Sequence, residues 1–174
     1  KRLGYRGLGL CDINGVYGSV RGYQAHEYSS SFDTEEVVSN LPFSYLVGVE
    51  LTPRDGSPLA ILPMNKEGYK TLCHFITKIK RPANKGEVHL QFQDLIADTE
   101  ELLAFPLPPW NPEQLEKLLD AFKDRLYLPV TKDLTWESVE NYQQAVQIEQ
   151  DFKIPLFATQ RPLFHTPARK ILHD

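Results

Sequence analysis

The segment GYRGLGLCDINGVYG, residues Gly4–Gly18, predicts a strand that turns directly into a helix. Its small and apolar residues are typical of a buried strand, and they end on a single acid, Asp12. A turn-forming Asn-Gly pair follows, and we predict a helix from about Val16 to Tyr28. Functional sites of α/β folds form where strands end, so Asp12 lies where chemistry is expected. The next residue, Ile13, is apolar and cannot bind a metal, which raises the question of whether the chain is an enzyme.

The rest of the chain alternates between predicted strands and helices. Apolar runs predict strands at residues 43–51, 58–64, 102–110 (cut short by prolines), 125–130 and 154–160. The tight turn RDGS, residues Arg54–Ser57, predicts a hairpin between the first two of these strands. Residues that favour a helix start predict helices after Asn65, from Pro112, after Thr135 and after Thr166. This alternation is typical of a parallel sheet or barrel with helices outside. We therefore predict a single domain over residues 1–174.

The composition narrows the class of protein. The net charge of −4 excludes a uniformly basic nucleic-acid-binding surface, but it permits a local basic patch. Cys11 lies in a strand pattern and Cys73 in a helix pattern, and both are predicted to be buried thiols, as in a cytoplasmic protein. No apolar run approaches the roughly 18 residues of a membrane span.

Few residues at the predicted strand ends can bind a metal. Asp12 and Glu50 are the acids there, whereas a hydrolytic metal site needs several converging ligands. The five histidines form no pair at metal-ligand spacing, and His165, just after the last strand, is the best placed of them. The sequence contains no nucleophile elbow, phosphate loop or dinucleotide fingerprint. These residues alone indicate only an α/β domain with two isolated acids.

Three segments resemble one known family. They are LGYRGLGLCDINGVYG, then VGVEL, then LAILPMNKEGYKTLCHFITKIKR, and within them NKEGYKTLCHFIT is the most specific. Together they resemble the PHP domain (polymerase and histidinol phosphatase) at the N-terminus of bacterial DnaE-type DNA polymerase III alpha subunits. ITKIKRPANKGEVHL followed by FQDL resembles the error-prone, damage-tolerant branch. The chain would then be a fragment of a longer polypeptide, which we call the parent polymerase.

The resemblance implies a fold and a damaged metal site. The family fold is a distorted (β/α)₇ barrel of the TIM-like type, here incomplete because the first strand is missing. The family's Thr-Asp-His motif corresponds to a segment that keeps Asp12 and has Ile13 in place of histidine, and its glutamate corresponds to Glu50. The final Asn-Asp-Val-His motif loses its acid to Arg161 and its histidine to Leu163. Asp12 and Glu50 are thus implied to be vestigial ligands, and Arg161 would repel a metal or pair with one of these acids.

The resemblance also implies a function for the parent polymerase rather than for this chain. The chain would be a non-catalytic structural domain with no catalytic residue and no cofactor. It would brace the polymerase core, while the parent synthesises DNA with Mg²⁺ and meets DNA and replication or lesion-bypass proteins in the cytoplasm. The alternative is a metal-dependent phosphoesterase or 3′-5′ exonuclease of the PHP superfamily that binds Zn²⁺ or Mn²⁺. A homodimer through the open barrel edges is a further expectation.

A third hypothesis concerns a short basic run. Lys78, Lys80, Arg81 and Lys85 lie at and after the end of the helix that Asn65 begins, and they are candidates for phosphate contacts in a nucleic-acid-binding module. The alternative is a solvated helix end, because cations are favourable near the C-terminal end of a helix. A steep salt dependence of DNA binding would distinguish the two.

Overall fold

The computed structural model describes residues 5–31, 43–133, 135–162 and 166–172. The chain divides into two compact units, Lys1–Leu126 and Tyr127–Asp174. The first unit contains one sheet and its helices, and the second contains a strand pair and a long helix. The predicted single domain of residues 1–174 remains a prediction.

The first unit is built on a four-stranded mixed sheet. Its strands, β1 to β4, lie in chain order across the sheet and are Gly7–Ile13, Ser44–Leu51, Leu59–Pro63 and Leu102–Pro106. β1 pairs parallel to β2, whereas β2 with β3 and β3 with β4 are antiparallel. Its helices α1 to α4 are Ser19–Ser31, Lys66–Lys80, Phe92–Leu95 and Pro112–Phe122, and a 3-10 turn follows at Lys123–Arg125.

The predicted (β/α)₇ TIM-like barrel is wrong. Over the described residues the strands form a four-stranded sheet and a separate two-stranded sheet, with no closed barrel. The segment between β2 and β3 is too short for the crossover that parallel neighbours need, so the chain turns back and pairs antiparallel. β1 has β2 as its neighbour and lies at one edge of the described sheet.

The two faces of this sheet have different environments. Val49, Leu51 and Ile61 share one face and are almost completely buried, with α1 and α2 packed against β2 and β3. Neighbouring residues on the strands face the opposite side, where Ile13 is 63% and Leu46 is 44% exposed. Cys11 lies on this second side and is exposed, so its predicted burial is wrong.

The second unit consists of two short parallel strands and a helix. β5 (Leu128–Val130) pairs with β6 (Leu156–Ala158), and α5 (Trp136–Phe152) connects them. Thr135 begins α5 as predicted, because its side chain accepts a hydrogen bond from the Ser138 N–H at 3.2 Å. A 3-10 helix over Pro167–Leu172 follows. Across the described parts of both units, no helix combines the length and apolar character needed to cross a membrane.

Candidate functional site

Asp12 caps a helix in this structure. Its Oδ2 accepts a hydrogen bond of 2.6 Å from the Gly18 N–H, directly before α1. The Gly18 carbonyl in turn accepts from the Gly22 N–H at 2.9 Å, so Gly18 begins the first helical turn. A carboxylate is favourable at this position because it binds an N–H group with no partner in the helix and faces the positive end of the helix dipole. The local fold therefore gives Asp12 a structural role.

Tyr45 lies close to this carboxylate. Its hydroxyl donates a hydrogen bond of 3.2 Å to the carbonyl of Ser19 in the first turn of α1. Burial raises the pKa of Tyr45 above 10.0, and the negative charges of Asp12 and Cys11 raise it further. A tyrosine hydroxyl is protonated at neutral pH in any case, and the hydrogen bond of Tyr45 to Ser19 joins α1 to β2.

Asn14 ties the turn after β1 to the end of β2. It has a left-handed backbone conformation with φ of 52°, and its N–H donates to the Glu50 carbonyl at 2.7 Å. Its side chain both donates to the Thr52 hydroxyl at 2.7 Å and accepts from the Thr52 N–H at 3.0 Å. The sequence predicts only a turn at Asn14. The Asn-Gly pair was the available signal, since asparagine tolerates this conformation better than most residues.

Glu50 faces the side of the sheet opposite to Asp12. In the parallel pairing of β1 and β2, Glu50 is the partner of Ile13, whereas Asp12 is the partner of Val49. Paired residues project to the same face and successive residues project to opposite faces. The two predicted vestigial ligands therefore do not converge, and Glu50 shares its face with Ile13.

The described residues do not offer a metal centre. Among them, no group of three or more histidine, cysteine, aspartate and glutamate side chains could hold a metal ion. Leu163 and His165 lie outside the described residues. Arg161 belongs to the second unit, where it is exposed and has a positive φ of 43°. The described residues thus do not assemble the Zn²⁺ or Mn²⁺ site of the alternative hypothesis, and the pairing of Arg161 with an acid remains a prediction.

The family-like motif at the start of α2 has a packing explanation. Asn65 caps the helix, with its Oδ1 accepting from the Gly68 N–H at 3.0 Å and its amide donating to Glu101 Oε2 at 2.7 Å. A Cβ on Gly68 would overlap the backbone carbonyl of Glu101, so glycine is needed for this close approach. The Asn-x-x-Gly spacing therefore serves the fold at this place.

The predicted phosphate-contact residues lie at the other end of α2. Lys78 Nζ is 3.6 Å from Asp94 Oδ1, so part of its charge is balanced. Lys80 is the last residue of the helix, and its ammonium hydrogen-bonds to the Tyr17 hydroxyl. Arg81 and Lys85 are exposed beyond it. Lys80 thus ends the helix half-exposed, and Arg81 and Lys85 are exposed in the segment that follows it.

No family model matches the chain. Known relatives do match it, and each is named error-prone DNA polymerase. The protein from Bdellovibrio bacteriovorus is 46% identical over 172 residues, which are 99% of this chain and 16% of that protein. The protein from Pseudomonas aeruginosa is 30% identical over 174 residues, again 99% of this chain and 16% of that protein. The one from Ralstonia nicotianae is 29% identical over 192 residues, 99% of this chain and 17% of that protein.

The chain spans about one sixth of the length of the relatives it matches. The similarity extends over 99% of this chain. The relationship to the error-prone branch that the sequence indicated is therefore confirmed. The chain is thus similar, over almost its whole length, to a segment that makes up about 16% of bacterial proteins named error-prone DNA polymerase.

Proposed function

We propose that this chain is the PHP-like domain of a DnaE-type error-prone DNA polymerase, and that it is structural rather than catalytic. The observation that carries the proposal is the match over 99% of this chain to about 16% of proteins named error-prone DNA polymerase. DNA synthesis from deoxynucleoside triphosphates with Mg²⁺ would be the activity of the rest of the parent polymerase. The chain would brace the polymerase core of the same polypeptide.

The proposal includes a degenerate metal site. Two observations support it: Asp12 binds the Gly18 N–H, and Glu50 lies on the opposite face of the sheet. A metal-bound phosphoesterase needs at least three protein ligands that converge around an open position. With Asp12 and Glu50 separated, we expect no Zn²⁺ or Mn²⁺ cofactor in this domain.

Metal analysis of the intact parent polymerase tests this proposal. The protein is purified without chelator, challenged with Mn²⁺ and Zn²⁺, and analysed for bound metal beside the variants Asp12→Ala and Glu50→Ala. We expect the bound metal to be the same in all three proteins. Stoichiometric metal that either substitution removes would overturn the degenerate site and favour the phosphoesterase or 3′-5′ exonuclease. Absence of template-directed DNA synthesis would overturn the polymerase assignment.

We also propose that the end of α2 contacts DNA phosphates. The exposed positions of Arg81 and Lys85 and the location of Lys80 at the helix end support this. Each phosphate contact to single-stranded DNA contributes roughly 0.7 to the slope of log affinity against log salt. Replacing the four basic residues with glutamine should flatten this slope in the parent polymerase. A control variant neutralises four exposed cations elsewhere in the unit, namely Arg54, Lys66, Lys70 and Lys117.

The remaining proposals concern location and partners. The parent polymerase would act in the cytoplasm, on DNA and with replication or lesion-bypass proteins, and without a membrane partner. A homodimer would form by pairing of β1, the edge strand of the described sheet, with a second copy. Sedimentation of the parent polymerase tests the dimer, because substituting proline for Leu8 in β1 would dissociate it.

A further inference from the structure

Tyr17 is an exposed aromatic ring on a rigid support. It lies in the turn between β1 and α1 and is 71% exposed. A Cβ on the buried residue Gly15 would lie 2.6 Å from Tyr17 Cε2, so the ring packs directly on the glycine backbone. One side of the ring is therefore backed by the turn, and most of the side chain is exposed to solvent. Asn14 holds this turn by its hydrogen bonds to Thr52.

Lys80 brings a positive charge to the same ring. Its ammonium hydrogen-bonds to the Tyr17 hydroxyl and lies 4.7 Å from the ring centroid. The contact joins the end of α2 to the turn before α1, which are 63 residues apart in the chain. Arg81 follows at once, and its side chain is exposed.

We propose that Tyr17 and Lys80 form a binding site for one unpaired nucleotide of single-stranded DNA. A base would stack on the exposed ring of Tyr17, and the adjacent phosphate would contact Lys80. Aromatic rings beside cations are the general means by which proteins hold single strands, because every base has a π-face. Duplex DNA is a poorer ligand for this site, because its bases are stacked on each other and offer no free face. A cationic peptide is a poorer ligand as well, because Lys80 would repel it. This inference rests on the proposed polymerase function and names the DNA form bound at the α2 end.

The test uses the intact parent polymerase on a primer–template with an unpaired template overhang. The fluorescent base 2-aminopurine is placed at successive unpaired positions, since stacking quenches its emission. Tyr17→Leu should weaken binding of the overhang at least about fivefold, which corresponds to the smallest effect expected for the loss of one stacked base. The same substitution should restore the emission of 2-aminopurine at one position. Tyr17→Trp should keep the quenching. Tyr142→Leu, at an exposed tyrosine of α5, is the matched control and should change neither quantity.

The charge of Lys80 and the ring of Tyr17 affect different measured quantities. Lys80→Gln should lower the salt slope by roughly 0.7, whereas Tyr17→Leu should leave the slope unchanged. Unchanged affinity and unchanged emission in a folded Tyr17→Leu variant would overturn the inference, even if the basic residues still set the salt slope. A parent protein that binds the overhang but synthesises no DNA would instead overturn the proposed function and leave this site intact.

Discussion

Replacing Asp12 with alanine is expected to destabilise the first unit by about 1 to 2 kcal/mol. The side chain accepts one short hydrogen bond, 2.6 Å from the Gly18 N–H, at the positive end of α1. Loss of a side-chain cap costs about 0.5 to 2 kcal/mol, and loss of the charge at a helix N-terminus costs roughly 0.3 to 1 kcal/mol. These contributions overlap, because one carboxylate makes both. For a chain of this size, the expected loss corresponds to a fall of about 2 to 8 °C in melting temperature.

The amide variant separates the hydrogen bond from the charge. Asp12→Asn keeps an oxygen that can accept from Gly18 and loses only the charge, so it should recover at least half of the loss. Asp98→Ala, at an exposed aspartate of the same unit, is the control and should have almost no effect. Thermal and urea unfolding of the three variants, followed by circular dichroism, measure these differences.

The same experiment with metal discriminates a cap from a ligand. A cap acts without metal, so the loss in Asp12→Ala should be equal in chelator and in excess Mn²⁺ or Zn²⁺. Metal that stabilises only the wild-type chain would refute the reasoning, because ligand binding to the folded state alone raises stability by mass action. Full stability of Asp12→Ala in chelator would refute it as well.

Two further predictions concern packing and pH. Gly68→Ala should destabilise the first unit by about 1 to 3 kcal/mol in urea unfolding, because the new Cβ would overlap the carbonyl of Glu101. Gly9→Ala is the control, because its new Cβ would meet only one atom, 3.9 Å away. Hydrogen bonds from Thr135 lower the pKa of Asp133 from 3.8 to about 2. A lowered pKa adds stability above pH 3.8 that is lost as the pH falls through about 2, so the stability difference between wild type and Asp133→Asn should shrink over that interval. A difference that grows on acidification would contradict the assignment.

Helix starts were predictable because their signals are local. Asn65 and Thr135 each precede a helix. The side chain of each accepts the expected hydrogen bond from the backbone N–H three residues later. Pro112 begins α4 as predicted, in the first turn where its missing N–H has no partner to lose. α1 begins at Ser19, three residues later than predicted, because Asp12 holds the chain at Gly18. That hydrogen bond joins β1 to the start of α1. It produces no periodic pattern in the sequence from which the helix start could be predicted.

The strand partners were harder to predict than the strands. An apolar run identifies β2, yet nothing in the run itself states whether its neighbour is parallel or antiparallel. The alternation of strands and helices favoured a parallel barrel, whereas the turn sequence at Arg54–Ser57 predicted a hairpin, which the antiparallel pairing of β2 and β3 confirms. α3, a single turn at Phe92–Leu95, was also missed, because four residues are too few to show a helical period.

The separation of Asp12 from Glu50 follows from the register in which β1 pairs with β2. The sequence alone does not reveal this register. Both acids end a strand and therefore appeared to converge, but the register places Ile13 beside Glu50 and Val49 beside Asp12. A shift of β2 by one residue would bring Glu50 to the face of Asp12 and turn Val49 and Leu51 outward. These two side chains are completely buried, and exposing each costs roughly 1.5 to 3 kcal/mol. The core of the unit thus fixes the register that keeps the two acids apart, and gain of a metal site would have to offset that cost.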